Sequence, residues 1–415
     1  MARLIWINAA APRIGQFAAG LPPEREAPTT MEIPEEHRAL RDMVARFVER
    51  ELMPLEPAML AREAGGGELR LTGEEAAPLR AKCRELGLWA LDAPAEIGGA
   101  DLPATAMMLV QEELSRTVVP FSIPPESPVL RLLMSCANED QRRRYLAPYA
   151  EGRLRSATAI SEPGAGADPT AMATRAERDG GDWVINGRKI WISYMPEADF
   201  TVLLARTEAG RDHHGITAFI VDKGTPGFAI AREIPMLGGH RTYELTLDDC
   251  RVPSSQVLGE VGHGFAHMQL RLTRRRLLMG PMCVGIARRA LDMMCAHVKR
   301  RATFGVKRAD RQAVQWWIAD AAMKIHACRL MALDAAAKHD SGADVRTEAS
   351  MIKVFATEMA TEVVDHAMQA FGAMGMAKEL PLQLMAQRVR VMRVYEGPSE
   401  VHRMVVARRA LAGRL

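Results

Sequence analysis

The chain has 415 residues, 48% of them hydrophobic and 25% charged, and 54 basic against 51 acidic side chains leave a formal net charge of +3. This is the balance of a globular protein, and basic residues spread throughout give no global field that would favour nucleic acid. The longest uncharged apolar run, Leu277 to Ala287, is well short of the ~20 residues needed to cross a bilayer, and the length calls for two or three domains rather than one core.

Residues 1–30 carry no acid before Glu24 and end in a Pro/Ala/Thr-rich stretch. They read as a transit-like leader, a mobile tail, or sequence ahead of a start at Met31, and are set apart from the fold. From Pro34 onward Leu40, Met43, Val44, Phe47, Val48 and Leu52 recur at steps of three and four, one apolar stripe on one helix face. Capping boxes at Thr72 with Glu75 and at Asn138 with Gln141 mark further helix starts. Residues 31–155 therefore read as an α-helical domain.

The period then changes. "DWVINGRKIWIS" (182–193) reads as two short β-rich runs around Asn186-Gly187, a dipeptide suited to a tight hairpin turn. Phe200–Thr207, Gly215–Lys223 and Thr242–Pro253 are further strand candidates, so 156–262 reads as a β domain. After Gly264 long Ala/Met/Leu-rich helical segments return and hold to the end, giving a helical bundle over 263–415. The 26 methionines suit adaptable packing. Six cysteines without a CxxC pair fit reduced thiols in a reducing compartment, and His263 with His267 lack a third ligand, so no metal site is expected. Of two arginine triplets, 142–144 reads as a solvated face or a subunit contact.

Three stretches carry chemistry. "SEPGAGAD" (161–168) places Gly164 and Gly166 in a loop whose backbone can approach a ligand, although a structural turn is the blander reading and no dinucleotide fingerprint is present. Trp191 and Ser193, two apart on one strand, share a face and offer a flat indole beside a hydroxyl. In "RVYEGPSEVHR" (393–403) Glu396 stands between Tyr395 and Gly397. An acid serving as proton acceptor gains from such apolar company and from close-approaching backbone; the alternative is a salt bridge to Arg393 or Arg403.

"AISEPGAGAD", "NGRKIWIS", "RATFG" with Gln312, "MQAFGAMG" and "VYEGPSEVHR" follow one another in the order and at about the separations found in the acyl-CoA dehydrogenase family of flavoproteins, which the chain resembles from about Met31 to Leu415. The resemblance implies an α+β fold: an N-terminal helical domain, a middle β-barrel or sandwich domain and a C-terminal four-helix bundle, assembled as a homo-oligomer, a dimer of dimers. It implies FAD as cofactor, with Ile160, Ser161 and the loop through Ala167 and Asp168 on the pyrimidine side, Trp191 flanking the ring system and Ser193 near N5. Arg301, Phe304, Gln312, Gln369, Gly372 and Gly375 would meet the adenosine and pyrophosphate part in a neighbouring copy, and Pro398 and Glu400 would also lie at the cofactor. Glu396 aligns with the catalytic base. Some relatives hold the base where Arg275 stands here, and arginine cannot accept the proton. Arg276 would sit near the CoA-bearing end of the substrate, and Ala167, Tyr395 and Gly397 would line the substrate site.

The activity so implied is α,β-dehydrogenation of an acyl-CoA thioester, with Glu396 removing the α-proton and an electron-transfer flavoprotein as electron acceptor. Ala167 replaces a common serine, Thr158 a common aromatic, and Pro398 and Glu400 a threonine and a glutamine; these changes bring the chain nearest a branch that in animals is fused to a kinase-like domain. The rival readings are an oxygen-using flavoprotein on the same fold, resembling acyl-CoA oxidase or nitroalkane oxidase, and a non-enzymatic flavin-bound or nucleic-acid-binding relative suggested by the arginine-rich last helix. Bacterial cytoplasm is the expected location, or the mitochondrial matrix if the leader is a transit peptide.

Overall fold

The computed structural model describes residues 33–210 and 213–414; the segment 1–30 set apart above lies outside the described residues. Helices α1 (Glu35–Phe47), α2 (Glu56–Ala64), α3 (Gly73–Glu85), α4 (Ala104–Leu114), α5 (Ser127–Cys136), and the short α6 (Glu139–Gln141) and α7 (Ala147–Ala150) form the first layer. The apolar stripe of α1 continues into a π turn at Val48–Leu52, and Val44, Phe47, Val48 and Leu52 are all buried. Both capping boxes close: Thr72 and Asn138 each accept from the third helical N–H while Glu75 and Gln141 reach back.

Strands β1 (Ser156–Ala159), β2 (Arg175–Asp179), β3 (Asp182–Ser193), β4 (Phe200–Arg206), β5 (Ile216–Asp222), β6 (Phe228–Pro235) and β7 (Arg241–Pro253) make one sheet in the order β1-β4-β2-β3-β7-β6, with β5 on the other side of β4. Asn186-Gly187 is not the turn its dipeptide suggests. β3 runs through it as one strand, the register against β7 slipping between Ile185 and Gly187, and the tight turn falls instead at Gly180-Gly181 between β2 and β3. Two contacts explain this. Asn186 is spent across the strands, its amide nitrogen on Asp249 Oδ1 at 3.1 Å and its oxygen accepting Asp249 N–H at 2.7 Å. Thr174 also crosses Gly187 so closely that a Cβ there would lie 2.5 Å from its hydroxyl.

The chain ends in α8 (Gly264–Arg300), a two-strand ribbon of β8 (Ala302–Thr303) and β9 (Val306–Lys307), then α9 (Gln312–Asp340), α10 (Arg346–Phe371), α11 (Ala373–Met376), α12 (Leu382–Met392) and α13 (Ser399–Leu411). α8, α9, α10 and α12 share a core that includes Met279, Cys283, Ile286, Cys328, Ile352 and Met392. Each such aliphatic side chain contributes roughly 1.5–3 kcal/mol by leaving water. A second core ties the three layers together: Leu130 and Tyr149, Val202 and Ile220, and Met268 and Leu272 at the start of α8 pack as one cluster. Buried carboxylates lock a further junction, between the first helices and the bundle, Glu56 pairing with Arg289 and Glu112 with Arg288 and Arg329. The first arginine triplet is largely solvated, as read: Arg143 and Arg144 are exposed, with Arg144 pairing with Asp222, while Arg142 donates to the carbonyls of Ala137 and Met134. No described helix is long and apolar enough to cross a membrane.

Candidate active site

The "SEPGAGAD" loop leaves β1 and is pinned to β3 by a buried ion pair absent from the sequence reading. Lys189 is fully buried and donates to Glu162 Oε1 at 2.7 Å and to the Ile160 carbonyl at 3.1 Å, while Ile190 N–H donates to the Ser161 carbonyl at 2.9 Å. Glu162 also accepts the N–H groups of Ala173 and Thr174. Burial alone would raise this carboxyl, but the Lys189 ammonium and these donors outweigh it and hold it below the usual range. Ile160 and Ser161 are thus fixed beside Trp191, whereas Ala167 and Asp168 are exposed farther along the loop.

On the solvent-side face of β3, Trp191 is 50% and Tyr194 61% exposed, both large to leave uncovered, with Ser193 between them. Ser193 Oγ lies 3.0 Å from His240 Nε2, and a cavity of about 540 Å³ lined by His240, Arg241, Met236, Lys378 and Gln387 opens beside it. Burial lowers His240 from its ordinary value, so a neutral ring stands next to the serine.

Glu396 follows α12 in the turn before α13. Its side chain is 13% exposed, and Arg393 and Arg403, the partners its blander reading proposed, both pair with Glu358 instead. Arg271 Nη1 lies 3.6 Å from Glu396 Oε1, and Arg276 Nε donates to the Glu396 carbonyl at 2.9 Å. The acid therefore keeps cationic company, not the apolar enclosure expected from its neighbours in sequence. Its backbone stands at φ 57°, and Gly397 at φ 94° is bound to be glycine, since a Cβ would lie 2.9 Å from the His402 ring. Tyr395 is half-buried against the bundle core.

His402, missed in the sequence, holds this turn from below: Nε2 donates to the Glu396 carbonyl at 3.1 Å, and Nδ1 lies 3.1 Å from Ser350 Oγ. Lys353 donates to the Arg393 carbonyl at 2.8 Å. Burial, then the Arg276 charge, pushes His402 down to about 4. An unfolded histidine takes up its proton near 6.5, so between these values the unfolded chain binds more protons and stability falls as pH falls. The loss reaches about 3 kcal/mol by pH 4. His402→Gln, which keeps a donor but does not titrate, should flatten the dependence of the urea midpoint on pH between 7 and 4; an unchanged slope would remove His402 as its source.

Arg301, Phe304 and Gln312 are exposed at the far end of α8, Phe304 at 97%. The His297–Phe371 ring stack, 4.1 Å between centroids, brings Gln369 and Gly372 to the same end. Gly372 has open space around it, but Gly375 is required by packing, because a Cβ would strike the Met368 carbonyl at 2.4 Å. Pro398 precedes α13 as its cap and Glu400 is exposed on its first turn. Twenty-five residues of α8 and its end separate Arg276 from Arg301, about 37 Å of helix. One copy therefore carries two separate clusters, one around Glu396 and one on an exposed distal surface. Left-handed backbone at non-glycine residues concentrates in them: Trp191, Tyr194, Phe304 and Glu396 all have positive φ.

A half-buried carboxylate at Glu396 and uncovered aromatic rings at Trp191 and Tyr194 are thus carried on a helix–sheet–helix scaffold. The family profiles described as the N-terminal, middle and C-terminal domains of acyl-CoA dehydrogenase match residues 34–153, 157–250 and 262–411. (R)-benzylsuccinyl-CoA dehydrogenase of Thauera aromatica is 40% identical over 91% of this chain and 96% of its own. Butyryl-CoA dehydrogenase from Megasphaera elsdenii superposes with a TM-score of 0.83 at 28% identity, covering 92% of this chain and 100% of its own. PigA in complex with FAD superposes at 0.84 and 26% identity, covering 93% and 99%. The chain belongs to the acyl-CoA dehydrogenase family.

Proposed function

We propose that the protein is an FAD-dependent dehydrogenase that converts an acyl-CoA thioester to its 2-enoyl thioester, with Glu396 as the base. The observation that supports this most is the seating of Glu396: sheltered, freed from Arg393 and Arg403, and clamped through its carbonyl by Arg276 and His402. The residues around the cleft fit a planar cofactor, since Trp191 and Tyr194 are uncovered and Gly164 and Gly166 have open space where a side chain would stand. FAD, when bound, would supply the acceptor for the hydride leaving the β-carbon.

The chain's own residues do the rest. Glu396 takes the α-proton onto its carboxylate as the α-carbon–hydrogen bond breaks. Its amide N–H donates to no backbone carbonyl among the described residues, which leaves it for the thioester oxygen, where charge develops. The clamp on its carbonyl keeps base and amide in one orientation, so both act without reorganising. Ser193, with neutral His240 behind it, would offer its hydroxyl to the cofactor ring. Anaerobic addition of acyl-CoA thioesters to the yellow holoenzyme tests the reading: flavin absorbance should bleach. Slow reoxidation by oxygen and fast reoxidation by an electron-transfer flavoprotein would separate a dehydrogenase from an oxidase.

We also propose that the protein works as a homo-oligomer. Trp316, Met323 and Leu330 recur every seventh residue on α9 and are 61%, 62% and 46% exposed, an apolar stripe alongside the distal cluster. A second copy covering it would unite the exposed Arg301, Phe304 and Gln312 with the cofactor held at another copy's cleft. Trp316→Glu with Met323→Glu should lower the mass seen by light scattering and lower FAD content together. A wild-type monomer would overturn this.

A further inference from the structure

Of the arginines that α8 sends toward the cleft, three are committed. Arg271 faces Glu396, Arg274 donates to Asp92 at 2.8 Å, and Arg276 holds the Glu396 carbonyl. Arg275, one helical turn beyond Arg271 on the same face, makes no hydrogen bond or ion pair with any described residue. Opposite it on α12, Arg388 spends one N–H on the Thr117 carbonyl at 3.1 Å. A guanidinium has five donors, so most of both forks remain unspent. Both side chains are half-buried, and Arg275 lies within electrostatic range of the Glu396 carboxylate.

Their surroundings are shared. The charges of Arg275 and Arg388 lie within range of each other and of the Tyr194 and Tyr395 hydroxyls, and the anions within range of Arg275 are Glu126 and Glu396. Glu396 already faces Arg271, and Arg276 stands beside it. Arg271 and Arg276 thus already attend Glu396, while most donors of Arg275 and Arg388 are taken up by no described residue. Burial works against both charges; at Arg275 the fields of Tyr395, Glu126 and Glu396 outweigh it and raise the group, whereas Arg388 is lowered, by burial first and also by the Arg275 charge, so an anion beside Arg388 would offset both effects there. Arg388 also adjoins Cys283, a fully buried core residue. Arg388 therefore reaches inward, toward the bundle core.

We propose that the acyl group taken by this cleft carries a second carboxylate, gripped by Arg275 and Arg388 with the Tyr194 and Tyr395 hydroxyls beside them. The inference rests on the acyl-CoA reading and narrows its substrate to the thioesters of dicarboxylic acids. Arg275 occupies a position that cannot serve as base, and its use here is to read the far end of the substrate.

The test compares thioesters matched in carbon count. Succinyl-, methylsuccinyl-, glutaryl- and adipyl-CoA are set against butyryl-, 2-methylbutyryl-, pentanoyl- and hexanoyl-CoA, scored by anaerobic flavin bleaching of the wild-type holoenzyme and by calorimetric binding to the Glu396→Gln holoprotein. The CoA phosphates are common to both sets, so only the acyl terminus differs. At least one dicarboxylyl thioester should exceed its methyl-terminated match about thirtyfold or more in kcat/KM and in affinity. Arg275→Gln and, separately, Arg388→Gln should each cut that ratio at least about tenfold, and Arg275→Lys and Arg388→Lys should restore part of it. Using the ratio cancels any general loss of folding or flavin. Methyl-terminated thioesters that bleach the flavin as well as every dicarboxylyl one, or better, would overturn the carboxylate proposal and leave the acyl-CoA reading standing. No bleaching by either set would overturn both.

Discussion

Glu396→Gln should keep the fold and the yellow colour and lose turnover by at least about a hundredfold, up to about ten-thousandfold, the span a positioned general base provides. The amide has nearly the volume of the acid, so the clamp from Arg276 and His402, which holds the main-chain carbonyl and not the side chain, survives the change. What disappears is the capacity to accept a proton, together with the charge facing Arg271 at 3.6 Å. Rapid mixing under nitrogen separates the effects: thioester should still bind and perturb the flavin spectrum, but reduction should be slow. Reduction at the wild-type rate would take the role of base away from Glu396. Glu396→Asp draws the carboxylate back by one methylene and should retain an intermediate rate, because proton transfer tolerates little extra distance.

Lys189→Met should cost about 3–5 kcal/mol of stability, the usual effect of removing one member of a buried pair and leaving the other charged. Glu162 would keep the N–H groups of Ala173 and Thr174 but lose its cation, and the Ile160 carbonyl would lose its donor. Since these bonds tie the "SEPGAGAD" loop to β3, FAD content should fall with stability. Urea titration of the single variant and of Lys189→Met with Glu162→Gln decides the cause. Recovery of a large part of the loss in the double variant identifies the stranded carboxylate; equal losses would mean the lysine acts through packing alone.

Much of the fold was legible because its signals are local. The stripe of α1 and the two capping boxes are set by residues within a turn of one another, and each forms as read. β4, β5 and β7 announced themselves as apolar β-branched runs. β1, β2 and β6 did not: "SATA" is four residues long, "RAERD" is polar, and β6 is mostly exposed, so nothing in their own sequence demands a sheet. The Asn186-Gly187 misreading has the same root, for a dipeptide cannot report that Asp249 and Thr174 will claim it. At the site, Glu396, Trp191 and Ser161 came from motifs met in order. Lys189, Arg271 and Arg388 carry no local signature, because each acts on a group far away in sequence; His402 closes a turn only six residues back, and its residue type alone does not mark it as a clamp.

Trp191, Phe304 and Glu396 stand in left-handed backbone that glycine or asparagine would occupy with less strain. A sequence optimised for thermal endurance alone would replace them, and on the proposed mechanism it would give up activity with the strain. Heat resistance in this chain is therefore best sought in the capped helices and at the Glu112 junction, with these three residues left untouched.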